Sequence, residues 1–372
     1  MINSVGIVKA KKFNCNEKLV LSCGDVLSSF TLIYETYGSL NAKKNNAILI
    51  PHALSGNHHV AGKYKKEDKH SGWWDNMVGP NKPIDTNKFY VIGVNNLGGN
   101  DGSTSSKSIN PKTKKVWGSS FPIVTVKDWV ASQKKLTEHL GIDKLFAIVG
   151  GSLGGMQAIQ WSLDFPDYVN KVICIASAPN LTAQNIAFNE VARQAILKDE
   201  NFSKGNFYNH NKKPKNGLRL ARMLGHITYL SNDTMDKKFG RKLVNNKFNY
   251  DFSTNYEIES YLNYQGDKFA ESFDANTYLR MTKALDYFDL EKNYKKKLSS
   301  LFKKIKADYL VVSFSSDWRF PPSRSKEIVK ALLDNNINVS YAEIEAETGH
   351  DAFLLASNHY HNLISNYLNQ KI

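Results

Sequence analysis

Gly150-Gly151-Ser152-Leu153-Gly154 follows directly on the apolar run Leu145-Phe146-Ala147-Ile148-Val149 and precedes a helical segment, Met156-Gln157-Ala158-Ile159-Gln160-Trp161. A strand that stops at Gly-x-Ser-x-Gly and restarts as a helix has few ways to fold. The turn is so tight that a Cβ at the flanking positions would meet neighbouring backbone, hence the glycines on both sides of the serine. Such a turn presents the Ser152 hydroxyl at the mouth of a sheet. It also aims the Leu153 N–H, at a helix N-terminus, at any negative charge that develops beside it.

A serine hydroxyl alone is a weak nucleophile at neutral pH; it needs a base, and the base needs an orienting acid. Where the serine sits on this kind of elbow, the chain order is serine, acid, histidine. Downstream, Ala307-Asp308-Tyr309-Leu310-Val311-Val312-Ser313-Phe314 is a buried-strand pattern that ends in Ser315-Ser316-Asp317. Val339-Ser340-Tyr341-Ala342-Glu343-Ile344 reads as a further strand and leads into Thr348-Gly349-His350-Asp351-Ala352-Phe353. Ser152, Asp317 and His350 thus come in the right order, each past the carboxyl end of a strand. Singly, Asp317 could be a helix cap and His350 a loop histidine; nothing structural requires both in this order and placement.

At 372 residues the chain can hold one large α/β domain with an insertion, or two ordinary domains, and 41% hydrophobic residues supply an ample core. Cys15, Cys23 and Cys174 show no metal spacing and no disulfide framework, a reduced, cytoplasmic pattern. No secretory signal opens the sequence and no apolar stretch is long enough to span a membrane. The net charge of +14 is spread over short lysine clusters (Lys11-Lys12, Lys65-Lys66, Lys112 to Lys115, Lys295 to Lys297, Lys303 to Lys306). A nucleic-acid binder would gather its charge on one face among stacking aromatics, so most of these lysines read as solvated surface. His52, His58 and His59 share one loop without a carboxylate or cysteine at ligand spacing, so packing or substrate contact is expected there and no metal.

Strands expected at Ala47 to Ile50, Phe89 to Val94 and Val172 to Ile175 alternate with helical segments, notably Val126 to Leu140. This predicts an α/β fold with a mostly parallel sheet flanked by helices and active-site loops at its carboxyl edge. The loop after Ile50, Pro51-His52-Ala53-Leu54-Ser55-Gly56, is placed to give a second oxyanion donor, the Leu54 N–H. After Ser177-Ala178-Pro179 the pattern changes: Phe188, Val191, Ala192, Ala195 and Ile196 repeat with helical period. A polar Lys/Asn-rich loop is expected over 198–216, then helices until about Leu301. The reading is a discontinuous core of residues 1–180 and 300–372 with a helical lid inserted over 181–299.

With elbow, triad and insertion in place, the chain resembles the homoserine O-acyltransferases of the α/β-hydrolase superfamily over nearly its whole length. Beyond the elbow, the matching islands include Gly72-Trp73-Trp74-Asp75, Asn95-Asn96-Leu97-Gly98-Gly99, Ser108-Ile109-Asn110-Pro111 and Phe121-Pro122-Ile123-Val124-Thr125-Val126. Others are Gln184 to Glu190, Gly225-His226-Ile227-Thr228-Tyr229-Leu230 and Gly349 to Phe353. The chain departs from the usual pattern at Asn100, often a cysteine, and at Ser105-Ser106, usually Gly-Pro. The resemblance implies ping-pong transfer of an acyl group from coenzyme A through Ser152 to the hydroxyl of L-homoserine, a step of methionine biosynthesis, with no bound cofactor. It also implies substrate contacts at Arg222 and Asp351, a carboxylate clamp and an ammonium acceptor suited to a zwitterion. A homodimer joined through the helical insertion is implied as well.

The family divides into acetyl and succinyl users, which differ by a carboxylate at the far end of the acyl chain. A succinyl site must neutralise that charge on burying it. Arg319, two residues beyond Asp317, stands where acetyl-using relatives commonly carry an apolar residue, and it resembles the succinyl-using branch. The expected donor is therefore succinyl-CoA, with acetyl-CoA as the alternative. A serine hydrolase with water as acceptor would share the triad and have no need of Arg222 and Asp351.

Overall fold

The structure is a computed structural model that describes residues 3–209 and 212–370. Its centre is an eight-stranded sheet: β1 (Lys11–Cys15), β2 (Phe30–Tyr37), β3 (Ala47–Pro51), β4 (Tyr90–Val94), β5 (Leu145–Gly151), β6 (Val169–Ile175), β7 (Asp308–Phe314) and β8 (Val339–Ile344). The spatial order is β1-β2-β4-β3-β5-β6-β7-β8. β1 and β2 run antiparallel to their neighbours, and every pair from β4 to β8 is parallel. Parallel strands covered on both faces read as unbroken apolar runs, which is why β3, β5, β6 and β7 stood out in the sequence. β1 did not, because in Lys11-Lys12-Phe13-Asn14-Cys15 only Phe13 and Cys15 are buried.

Alternate strand residues feed two cores, one on each face. Leu49, Ile92, Ile148, Val172 and Val311 pack with α1 (Val126–His139) and α2 (Leu153–Asp164). Ile50, Val91, Val149, Ile173 and Val312 pack on the opposite face. α1 begins at a capping box, in which the Thr125 side chain accepts from the Asp128 N–H while Asp128 accepts from the Thr125 N–H.

Between β6 and β7 the chain leaves the sheet for α3 (Ala183–Leu197), α4 (Lys215–Tyr229), α5 (Asn232–Lys238), α6 (Glu257–Ser272), α7 (Ala275–Tyr287), α8 (Leu290–Tyr294) and α9 (Leu298–Phe302). α4 packs against α3 and α6 over a third core of Ala192, Ile196, Leu218, Ala221, Phe269 and Tyr278. Met281, Ala284, Leu285, Phe288, Leu290, Leu298, Leu301 and Phe302 belong to the main core, so the chain rejoins it within α7, ahead of residue 299 where the sequence reading places the boundary. α10 (Pro322–Leu333) and α11 (Asn358–Asn369) complete the flanking layers.

Two sequence expectations need correction. The stretch over 198–216 is not simply a polar loop: it holds short 3-10 turns at Glu200–Gly205 and Phe207–Asn209, with Phe202 and Phe207 buried. In α3 the apolar stripe is only partly the inward face. Val191 is 60% exposed, whereas Asn185, Asn189 and Arg193 are buried beside Ala192 and Ile196. Beside the third core, which Ala192 and Ile196 join, the helix also turns a polar row inward, where Asn189 and Arg193 meet Asp286 and Asn189 meets Arg319.

Candidate active site

β5 delivers Ser152 with φ 56° and ψ −122°, a left-handed backbone that a serine adopts only where its surroundings enforce it. The enforcement is visible. A Cβ on Gly150 would overlap the Gly154 carbonyl, and one on Gly154 would overlap the Pro51 carbonyl at the end of β3. The Ser152 N–H donates to the Ile175 carbonyl (2.8 Å) and its own carbonyl accepts from the Ser177 hydroxyl (2.9 Å), which tie the elbow to the end of β6.

β7 delivers Asp317, and the loop after β8 delivers His350. His350 Nδ1 lies 2.7 Å from Asp317 Oδ2, and its Nε2 lies 2.8 Å from Ser152 Oγ. A carboxylate only accepts, so the proton belongs on Nδ1 and Nε2 is left to accept from the serine hydroxyl. The other carboxylate oxygen, Asp317 Oδ1, accepts from the N–H groups of Arg319 (3.0 Å) and Phe320 (2.8 Å). All three side chains are at least 90% buried: exposure is 9% for Ser152, 1% for Asp317 and 4% for His350. Phe320 and Phe353 flank the imidazole with ring centroids at 5.1 and 5.6 Å.

The loop after β3 is held against the start of α2. Gln157 Nε2 donates to the His52 carbonyl (3.0 Å). His52 Nδ1 lies 2.7 Å from the Ala53 carbonyl, which can only accept, so Nδ1 carries the proton; Nε2 then accepts from the Asn96 N–H (3.0 Å). Burial lowers its pKa to about 4, so this ring is neutral at physiological pH. Among the described residues, the Leu54 and Leu153 N–H groups have no hydrogen-bond acceptor. The other two loop histidines also have structural partners: His59 Nδ1 lies 3.1 Å from Glu35, and His58 Nε2 lies 3.1 Å from the Tyr64 hydroxyl. No cluster of three or more metal-ligating side chains occurs among the described residues.

The charged residues singled out by sequence converge on one ring. The Arg222 guanidinium lies 5.9 Å and the Arg319 guanidinium 5.4 Å from the Tyr229 centroid, and that ring sits 6.2 Å from His350. Neither arginine has a carboxylate partner: among the described residues the arginine ion pairs are those of Arg193, Arg219 and Arg324. Arg319 does not turn outward to solvent. It is 7% exposed, and it donates to Thr228 Oγ1 (2.7 Å) and Asn189 Oδ1 (3.4 Å). Asp351 makes no cap; burial raises its pKa, with His350 and Arg222 pulling the other way.

Asn185, Asn189, Thr228 and Tyr229 are neighbours of the site that motif reading passed over. All four lie inside the islands shared with the family, and asparagines four residues apart on one helix were the available signal. The departures from the family pattern have contacts of their own. Asn100 fastens its loop to the lid by donating to the Ser272 carbonyl (3.1 Å) and accepting from the Asp274 N–H (2.9 Å). Ser106 accepts from the Gly118 N–H through its carbonyl (2.9 Å).

Known proteins are similar to this chain in sequence and fold. The family model described as the alpha/beta hydrolase fold matches residues 46–357. A homoserine O-succinyltransferase from Dechloromonas aromatica is 57% identical, with 98% of each chain covered. One from Laribacter hongkongensis is 58% identical, covering 99% of this chain and 97% of that protein. Among solved structures, a homoserine O-acetyltransferase from Bacillus anthracis superposes with a TM-score of 0.92 at 29% identity, covering 98% of this chain and 99% of that one. The esterase E22 follows with a TM-score of 0.89 at 31% identity, covering 98% and 100%. From sheet order to elbow, and by identity along its length, the chain belongs to the homoserine O-acyltransferase family of the α/β-hydrolase superfamily.

Proposed function

We propose that this protein transfers a succinyl group from succinyl-CoA to the hydroxyl of L-homoserine, giving O-succinyl-L-homoserine for methionine biosynthesis. The observation that carries the donor choice is Arg319, a buried guanidinium held only by neutral side chains. An arginine in that state lacks a counter-charge, and a succinyl carboxylate supplies one.

The chemistry runs in two halves. His350 Nε2 takes the Ser152 proton as Oγ attacks the thioester carbonyl. The oxyanion is met by the Leu54 and Leu153 N–H groups, and coenzyme A leaves as its thiol with the proton returned by His350. Homoserine then gives its hydroxyl proton to His350 and attacks the acyl-serine; collapse releases the ester and restores Ser152. Asp317 keeps the proton on Nδ1 and stabilises the imidazolium in both halves. Arg222 receives the homoserine carboxylate and Asp351 its ammonium, and no bound cofactor is needed. The protein works in the cytoplasm as a homodimer. The exposed Val191, Leu220 and Ile227 on α3 and α4 offer the lid surface for a second copy; no described helix is long and apolar enough to cross a membrane.

Acetyl transfer and ester hydrolysis are the competing readings, the second favoured by the esterase likeness. Thiol release with L-homoserine separates them. A preference for succinyl-CoA over acetyl-CoA that is lost in Arg319→Leu supports the proposal. Equal or better turnover of acetyl-CoA overturns the donor choice, and thiol release independent of homoserine points to hydrolysis.

A further inference from the structure

Arg280 and Arg319 are both buried without an ion pair, yet they are treated differently. Arg280 is saturated by carbonyl oxygens, with Nε 3.0 Å and NH2 2.6 Å from the Phe121 carbonyl and NH2 2.9 Å from that of Ser119. Arg319 donates to only two oxygens among the described residues, so most of its five N–H groups remain available. The carboxylates flanking Asn189, Glu190 next to it in sequence and Asp286 bonded to its amide, are both engaged by another arginine. Arg193 binds Glu190 through Nε (3.0 Å) and NH2 (2.8 Å), and Asp286 through NH1 (2.7 Å).

Between these two arginines stands Asn189, 3% exposed. Its Nδ2 donates to Asp286 Oδ1 at 2.8 Å. Because that carboxylate can only accept, the amide orientation is fixed, and Oδ1 must face Arg319. A carboxylate at position 189 would hold the guanidinium more firmly, but it would also cancel the charge. Thr228, itself fully buried, likewise offers Arg319 a neutral oxygen while its hydroxyl donates to the Gly225 carbonyl (2.9 Å).

We infer that Asn189, assisted by Thr228, determines acyl-donor specificity by positioning Arg319 with uncharged oxygens, while Arg193 pairs with Asp286, the carboxylate on the other side of Asn189. This leaves the Arg319 cation uncompensated for the terminal carboxylate of the acyl donor. The inference rests on the succinyl reading of Arg319 and adds the residues that keep that arginine charged, aimed and free.

The test is the ratio of kcat/KM for succinyl-CoA to that for acetyl-CoA, with L-homoserine saturating, in Asn189→Asp, Thr228→Val, Arg319→Leu and the Asn189→Asp/Arg319→Leu double variant. Asn189→Asp places a carboxylate on Arg319 and loses the amide donor to Asp286, so turnover of both donors can change, but the ratio is expected to fall at least about tenfold because only succinyl-CoA needs the free cation. Thr228→Val lowers it less, and Asn189→Asp adds nothing once Arg319 is leucine. A damaged fold would slow both donors together, and that result in both Asn189→Asp and Thr228→Val overturns the inference. So does an unchanged ratio in Asn189→Asp alongside a collapsed one in Arg319→Leu, which leaves the succinyl reading standing. A ratio that survives Arg319→Leu removes the succinyl reading itself.

Discussion

The two ends of the pocket are built on opposite plans. Around Ser152 the polar atoms of the catalytic side chains are paired: serine with histidine, histidine with aspartate, aspartate with two backbone N–H groups. Around Tyr229 the charges are left open. Arg222 and Arg319 have no ion pair, and Asp351 is pushed towards its neutral form by burial. Groups that act on every substrate can be satisfied in advance, since their partners never change. Groups that recognise a substrate must arrive at it unsatisfied, because a charge already paired discriminates nothing.

The contrast predicts different losses. Ser152→Ala removes the nucleophile from the paired end, and turnover should fall by roughly 10⁶-fold with homoserine affinity unaltered; single-turnover thiol release checks this. If affinity falls as much as rate, the two ends are not separable. Arg222→Ala works at the open end. It should lower kcat/KM for homoserine by about 10²-fold or more and leave acylation of Ser152 by the CoA thioester untouched.

Asp351 adds a pH signature to the same end. Its pKa lies above the ordinary carboxylate value, so acidification neutralises it earlier than a solvated aspartate; on the proposed role, the homoserine ammonium then loses its acceptor. The KM for homoserine should therefore climb as pH falls through that raised pKa, and Asp351→Asn should show a high KM without that climb. A KM indifferent to pH in the unaltered protein would mean that Asp351 does not meet the ammonium.

The smallest effect concerns stability at the paired end. His52 is neutral when folded, with its pKa lowered to about 4, but titrates near 6.5 when unfolded. The unfolded chain thus binds the extra proton between these values, and stability is lost as pH falls from about 6.5 to about 4, by about 3 kcal/mol. Denaturant midpoints across that window should slope less in His52→Asn.

The paired end was legible in the sequence, and the reason is geometric. Ser152 and Asp317 each follow a strand whose apolar run announces itself, and His350 lies just past the weaker, half-exposed strand β8, so that finding the strands finds the residues. The open end was half legible. Arg222, Asp351 and Arg319 came from resemblance, whereas Asn189 and Thr228 escaped. Amphipathic reading assigns the apolar stripe of a helix to the interior, and α3 obeys this only in part: Ala192 and Ile196 face in, but so do Asn185, Asn189 and Arg193, while Val191 faces outward. A lid helix packed on both a hydrophobic core and a charged site buries a mixed face that amphipathic reading alone does not resolve. The β1 strand was missed for a simpler cause, since an edge strand with two buried residues carries too little pattern.

Tyr229 places one aromatic ring between two cationic seats. On the proposed reaction, each substrate brings a single carboxylate and fills one seat. The ester formed from them carries both, on one short tether, and so becomes a bivalent ligand whose second contact is made at high effective concentration. Release of that ester, not formation of its bond, then becomes the slow departure, and accumulated product should throttle the enzyme by competing for both half-sites together.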